Sequence, residues 1–196
     1  MNKQLTYQLL SFIEREVTIF SGEHALRNLE ASLEQTRLLR NLNRSVYYIN
    51  TAFSAWTFMA KAREILGAEA TGGFMRRFNY LTVSRGGLAR GREEVLQDMR
   101  SSASSVVIIN SWEFASCNPR FREELLFLLK RLINEEELTV IVWSQTDVEA
   151  EAGAIKRGGV GKLAAVARHI EPIAKTLRGS EVRGFGRTEL PEVGDR

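Results

Sequence analysis

Val17-Thr-Ile-Phe-Ser-Gly-Glu-His-Ala-Leu-Arg-Asn-Leu29 reads as an apolar strand that runs into a phosphate-loop-like turn. A working loop of this kind needs Gly-x-x-x-x-Gly-Lys-Ser/Thr, because bare backbone N–H groups cup the phosphates while Lys neutralises them and a hydroxyl holds Mg²⁺. Gly22 is in place, but Arg27 stands at the second glycine, Asn28 at the lysine and Leu29 at the hydroxyl position. Arg27 is a poor substitute cation: guanidinium binds phosphate well, yet its Cβ would crowd a turn that favours glycine. The stretch therefore predicts a strand-to-helix turn that keeps the outline of a nucleotide-binding loop without its chemistry.

Working outward, strand and helix patterns alternate. Apolar Leu26, Leu29 and Leu33 predict the buried face of a helix. Ser45–Thr51 reads as a second strand, followed by a helix after Phe53–Phe58, a third strand at Tyr80–Val83 and a helix over Arg92–Ala103. Ser105–Ser111 is a continuous β-branched run of the kind buried on both faces of a parallel sheet. Asn118 and Pro119 open a further helix, with Phe121, Leu125, Leu128, Leu129 and Leu132 as its core stripe and Glu135–Glu137 as its solvated end. Leu138–Gln145 is the next strand, and the polar stretch Thr146–Ala152 follows as a loop.

This order, over roughly residues 15 to 175, resembles the core of the RecA family of recombinases, including its RadA and KaiC-like branches. The resemblance implies an α/β fold with a mainly parallel, twisted central β-sheet flanked by helices. The family's first strand and loop read approximately Ile-Thr-Glu-Ile-Tyr-Gly-Glu-Phe-Gly-Ser-Gly-Lys-Thr, and Val17–Leu29 aligns with it without a gap. Its second strand ends Tyr-Ile-Asp-Thr-Glu, where the Glu activates the attacking water; here the residues are Tyr48-Ile-Asn-Thr-Ala52. Its fourth strand ends Asp-Ser, where Asp holds the metal's water shell; here it ends Asn110-Ser111.

The aligned positions imply that catalysis is lost. Phosphoryl transfer rests on positioning and electrostatics, and removing a single transition-state donor costs about 10²–10³ in rate. Asn28, Leu29, Ala52 and Asn110 replace four such contributors. The degenerate nucleotide site thus comprises Gly22, Arg27, Asn28, Leu29, Ala52 and Asn110, with no catalytic residue and no cofactor expected. The Gly-rich segment Arg157–Leu163 is not a second loop, since Lys156 stands where the required first glycine would fall and Leu163 where Ser or Thr belongs; it reads as a mobile loop.

Composition agrees. A chain of 196 residues, 44% hydrophobic, suits one globular domain, which at this size buries about 70% of its unfolded surface. We expect that domain over residues 1–178 and a partly flexible Gly-rich, charged tail over 179–196. No apolar run is long enough for a bilayer span and no leader pattern is readable, so a cytoplasmic location is expected. One cysteine, Cys117, and two histidines, His24 and His169, offer neither a disulfide framework nor a typical zinc site.

Charge supplies the clue to partners. Residues 153–187 carry +6, leaving −3 on the rest of a chain whose total is +3. In the family the loop after the Ser144-Gln145-like strand end meets single-stranded DNA, so Lys156, Arg157, Lys162 and Arg168 are candidate DNA contacts. No aromatic platform is interleaved with them before Phe185. Tyr47, Tyr48, Phe53, Trp56 and Phe58 cluster at the second strand's end as core, with a partner surface implied if Trp56 or Trp112 is exposed. Two functions follow as expectations. One is a non-catalytic accessory protein assisting DNA repair or recombination by binding DNA, a recombinase or a polymerase. The other is a protein-binding regulator on the same scaffold, as in certain cell-division inhibitors, with no nucleic acid. A nucleotide sensor without hydrolysis is a third, weaker possibility.

Overall fold

The computed structural model describes residues 3–22, 24–67, 79–82, 92–101, 105–110, 113, 119–145, 147–157, 159–160 and 168–169. Helix α1 (Lys3–Leu9) leads to β1 (Val17–Ser21), α2 (Ala25–Asn41), β2 (Val46–Asn50), α3 (Ala55–Leu66) and β3 (Asn79–Thr82). Then come α4 (Arg92–Ser101), β4 (Val106–Asn110), α5 (Pro119–Lys130), β5 (Thr139–Ser144), α6 (Val148–Arg157) and the short β6 (Arg168–His169). The sheet order is β3-β2-β4-β5-β1-β6, and every pairing is parallel. The expected α/β class and parallel sheet are present.

Every residue of β1, β2, β4 and β5 is buried, which is why these strands read as unbroken apolar runs instead of alternating ones. The two faces carry separate cores. Val17, Ile19, Tyr47, Ile49, Val107, Ile109, Val140 and Val142 meet α4, α5 and α6 on one side. Phe20, Val46, Tyr48, Val106, Ile108, Ile141 and Trp143 meet α1, α2 and α3 on the other. This division follows from direction: crossovers leaving β1 and β2 run one way along the sheet and those leaving β4 and β5 the other, and right-handed connections then fall on opposite faces.

Local chemistry sets several boundaries. Ser54 caps α3, its Oγ accepting from the Thr57 N–H at 3.2 Å, and Gly67 closes the helix at φ +72°, where a glycine carries no Cβ penalty. Leu29 and Leu33 are fully buried as expected, but Leu26 is 44% exposed. It lies in the first turn of α2. The helix opened by Pro119 continues through a π-helical turn, Arg131–Glu135. Its acidic end is not wholly solvated, because Glu136 pairs with Arg100 of α4. The stretch after β5 is likewise not a loop. From Val148 it is helix α6, with Glu151, Ala152, Ala154 and Ile155 buried.

At the N-terminal edge of the sheet, Glu14 accepts both guanidinium nitrogens of Arg44 at 2.8 Å and the Thr139 hydroxyl at 2.8 Å. The Arg44 hydrogen bond holds the Glu14 carboxyl below its usual value of 4.5. A group with a depressed folded-state pKa stabilises the fold above its unfolded value, and that contribution is lost as pH falls through the folded value. Chemical denaturation midpoints should therefore fall on acidification below about pH 4.5, and Arg44→Met should flatten that dependence. An equally steep acid loss in the variant would rule out this pair as a source.

Candidate functional site

The topology brings the aligned nucleotide positions to one edge. Helices following β1 and β2 lie on one face, those following β4 and β5 on the other. The carboxyl ends of these four adjacent strands are thus where the chain diverges, and that is where open α/β sheets bind ligands. Asn50 and Asn110 are register partners, Asn110 pairs with Trp143, and Ser144 pairs with Ser21. Gly22 immediately follows β1, and Ala52, exposed, comes two residues after the end of β2.

The turn after β1 is short. Only Gly22, Glu23 and His24 separate the strand from α2, so Arg27, Asn28 and Leu29 are already helical. A phosphate loop holds four residues between its glycines before its helix begins; here Ala25 and Leu26 of that interval are helix. This corrects the placing of Arg27 at a loop position: it occupies the first turn of α2. The Asn28 N–H that would face a phosphate donates to His24 O at 3.0 Å, and the Gly22 N–H donates to Ser144 O at 3.2 Å.

The centre of the turn is filled by protein. Asn28, 2% exposed, donates through Nδ2 to Ser144 O at 2.9 Å and to Gly22 O at 3.1 Å. A Cβ on Gly22 would collide with Asn28 Oδ1, so glycine is needed to admit the carboxamide. The groups turned toward this point are carbonyl oxygens, which repel an anion. Glycine at position 22 makes room for a side chain.

Searches of the sequence against family models and curated proteins return no match.

Behind Asn28 the inner side of α2 carries a polar ladder that sequence reading did not single out. Ser32 Oγ donates to Leu29 O at 2.8 Å and lies 2.5 Å from the Tyr48 hydroxyl. Burial pushes the Tyr48 phenol far above its usual value, and its hydrogen bonds with Ser32 and Asn110 offset this only in part. It stays protonated at neutral pH. Gln35 donates to Leu9 O at 2.5 Å and accepts from Trp143 Nε1 at 2.9 Å. Asn28, Ser32, Gln35 and Thr36 follow the i, i+4, i+7, i+8 spacing of one helix face. That spacing was legible, but polar residues with it ordinarily mark a solvated side.

The strand ends are similarly occupied. Asn50 Nδ2 donates to Phe53 O at 2.7 Å and its Oδ1 accepts from the Phe53 N–H at 3.2 Å, closing the turn into α3. Thr51 Oγ1 donates to Asn110 O at 2.7 Å. Among the described residues no group of three or more His, Cys, Asp or Glu side chains comes together.

Of the basic candidates, Lys156 and Arg157 are not brought to this edge. Helix α6 runs back from the carboxyl end of β5, and ten residues at about 1.5 Å each span roughly 15 Å. Lys156 and Arg157 therefore lie toward the opposite edge, both exposed. Arg168 sits in register with Phe20, near the carboxyl end of β1. Lys162, Cys117, Trp112 and the tail over 179–196 lie outside the described residues. Of the aromatics, Tyr47, Tyr48 and Phe58 are core, but Trp56 is 81% exposed. Among the described residues no helix is long and apolar enough to cross a membrane.

Proposed function

We propose that this chain is a non-catalytic, RecA-like accessory protein of the cytoplasm that assists DNA repair or recombination by binding DNA, a recombinase or both. The observation that carries the reading is Asn28, whose carboxamide bridges Gly22 O and Ser144 O where a nucleotide's phosphates would need donors. With Ala52 and Asn110 at the base and metal positions, the scaffold keeps a binding role and has no groups for hydrolysis. The strand alternation and the basic segment over residues 153–187 support the DNA part. Two measurements test it together. Calorimetry with ATP and Mg²⁺ should give no binding heat, and anisotropy with labelled single-stranded DNA should give an affinity that falls steeply with salt. A clear ATP heat, or no DNA binding at low salt, would overturn it.

A specific observation favours a second reading, the protein-binding regulator without nucleic acid. Trp56, in the first turn of α3 beside the degenerate site, is 81% exposed, and large exposed aromatics are enriched at interfaces. On this reading Trp56→Ala abolishes partner binding. Its effect on stability should stay within about 0.5 kcal/mol, as for other surface substitutions. A loss of more than that in urea unfolding would mean the side chain is structural.

A further inference from the structure

Some cations of the described surface hold an ion pair and some do not; of the latter, Arg27 and Arg63 belong to α2 and α3, on the other face of the sheet. Arg15, Arg37, Arg44, Lys61, Arg100, Arg120 and Arg131 each pair with a glutamate. Lys130, Lys156 and Arg157 have no ion pair among the described residues, and they lie together. Gly159 N donates to Lys156 O at 2.9 Å, turning the chain back after α6, with Gly159 at φ +76°. A Cβ built on Gly159 would lie 3.6 Å from both Cε and Nζ of Lys130. The end of α5 thus sets its ammonium against the turn that follows Lys156 and Arg157. Lys156 and Arg157 end α6, where cations suit the helix dipole, but that does not account for Lys130, which lies before the π-helical turn Arg131–Glu135.

An aromatic completes the patch. Phe127, one turn before Lys130 on the outer ridge of α5, is 39% exposed, and the Arg131 guanidinium lies 5.8 Å from its ring centroid. Arg131 is itself tied to Glu93 and Glu135, and exposed Glu123, one turn earlier on the same ridge, bounds the patch. Cations beside an exposed ring match the chemistry of a single strand: phosphates on the cations and a base face on the ring. A duplex offers no free base face to stack.

We propose that the outer surface of α5 and α6 binds single-stranded DNA, with Phe127 stacking a base and Lys130, Lys156 and Arg157 meeting the backbone phosphates. This rests on the DNA-binding reading above and deepens it. It keeps Lys156 and Arg157 of the expected contacts and adds Phe127 and Lys130 of α5.

The test is anisotropy of the full chain with fluorescent oligothymidylate across a salt series. Three phosphate contacts predict a slope of log affinity on log salt of about −2. Lys130→Glu with Lys156→Glu should flatten it by about 1 or more. Phe127→Ala should weaken binding about ten-fold while Phe127→Trp retains it, because stacking tolerates any aromatic. Circular dichroism checks that each variant is folded, and all the altered side chains are at least partly exposed. If the wild type binds but these variants match it, the surface assignment fails and the accessory function stands. If the wild type binds no oligonucleotide, or binds only anionic phospholipid vesicles, both fall.

Discussion

Trp143→Ala is expected to lower the stability of the fold by about 3–5 kcal/mol, the range for removing a buried large aromatic. Trp143 is 1% exposed and stacks on Phe20 with ring centroids 5.0 Å apart. Its indole N–H also donates to Gln35, whose amide holds the end of α1 through Leu9 O. Truncation therefore leaves a cavity between β5 and β1 and an acceptor without its donor, and it loosens α1. Trp143→Phe separates the contributions. It keeps a ring against Phe20 and loses the indole N–H, so a cost nearer 1–3 kcal/mol is expected, that of an unsatisfied buried polar group. Urea unfolding followed by circular dichroism measures both. A loss below about 1.5 kcal/mol for the alanine variant would mean that the site collapses around the deletion.

The second large effect is at Asn28. Asn28→Ala removes both hydrogen bonds that tie α2 to the ends of β1 and β5, leaving the Ser144 and Gly22 carbonyls without that donor. The expected cost is about 2–4 kcal/mol. Asn28→Lys, which places a lysine where a phosphate loop would carry one, should be at least as costly, because the site is buried and supplies carbonyl dipoles but no carboxylate. It should also produce no ATP hydrolysis, since Ala52 and Asn110 remain. Denaturation midpoints and a phosphate-release assay check the two halves independently. Measurable turnover from Asn28→Lys alone would contradict the account of the turn.

Much of the fold was legible because its strands are buried on both faces. Val106–Asn110 and Thr139–Ser144 are mainly apolar runs in which every residue is buried, and such runs stand out in any reading. Less was legible where a helix carries polar residues inward. Ser32, Gln35 and Thr36 are buried on α2 because Tyr48, Leu9 and the helix's own carbonyls lie opposite. Those partners come from distant parts of the chain. Leu26 failed in the other direction: its spacing matched the buried stripe, but the helix's first turn leaves it exposed. The stretch after β5 looked like a loop because Asp147, Glu149 and Glu151 crowd it, and only contact with β1 turns it into a half-buried helix.

For the candidate site the division is sharper. The expectation that Gly22, Asn28, Ala52 and Asn110 support no hydrolysis rests on residue identities alone, because charge, metal ligation and basicity belong to the side chain wherever it sits. What occupies the turn instead was decided only in three dimensions. Asn28 reaches two carbonyls on two strands more than a hundred residues apart in sequence, and no local pattern encodes that meeting. The same holds for Lys130, which the chain places far from Lys156 and Arg157 and which the turn at Gly159 brings beside them. Side-chain chemistry is written residue by residue, whereas juxtaposition depends on how parallel strands and their crossovers pack.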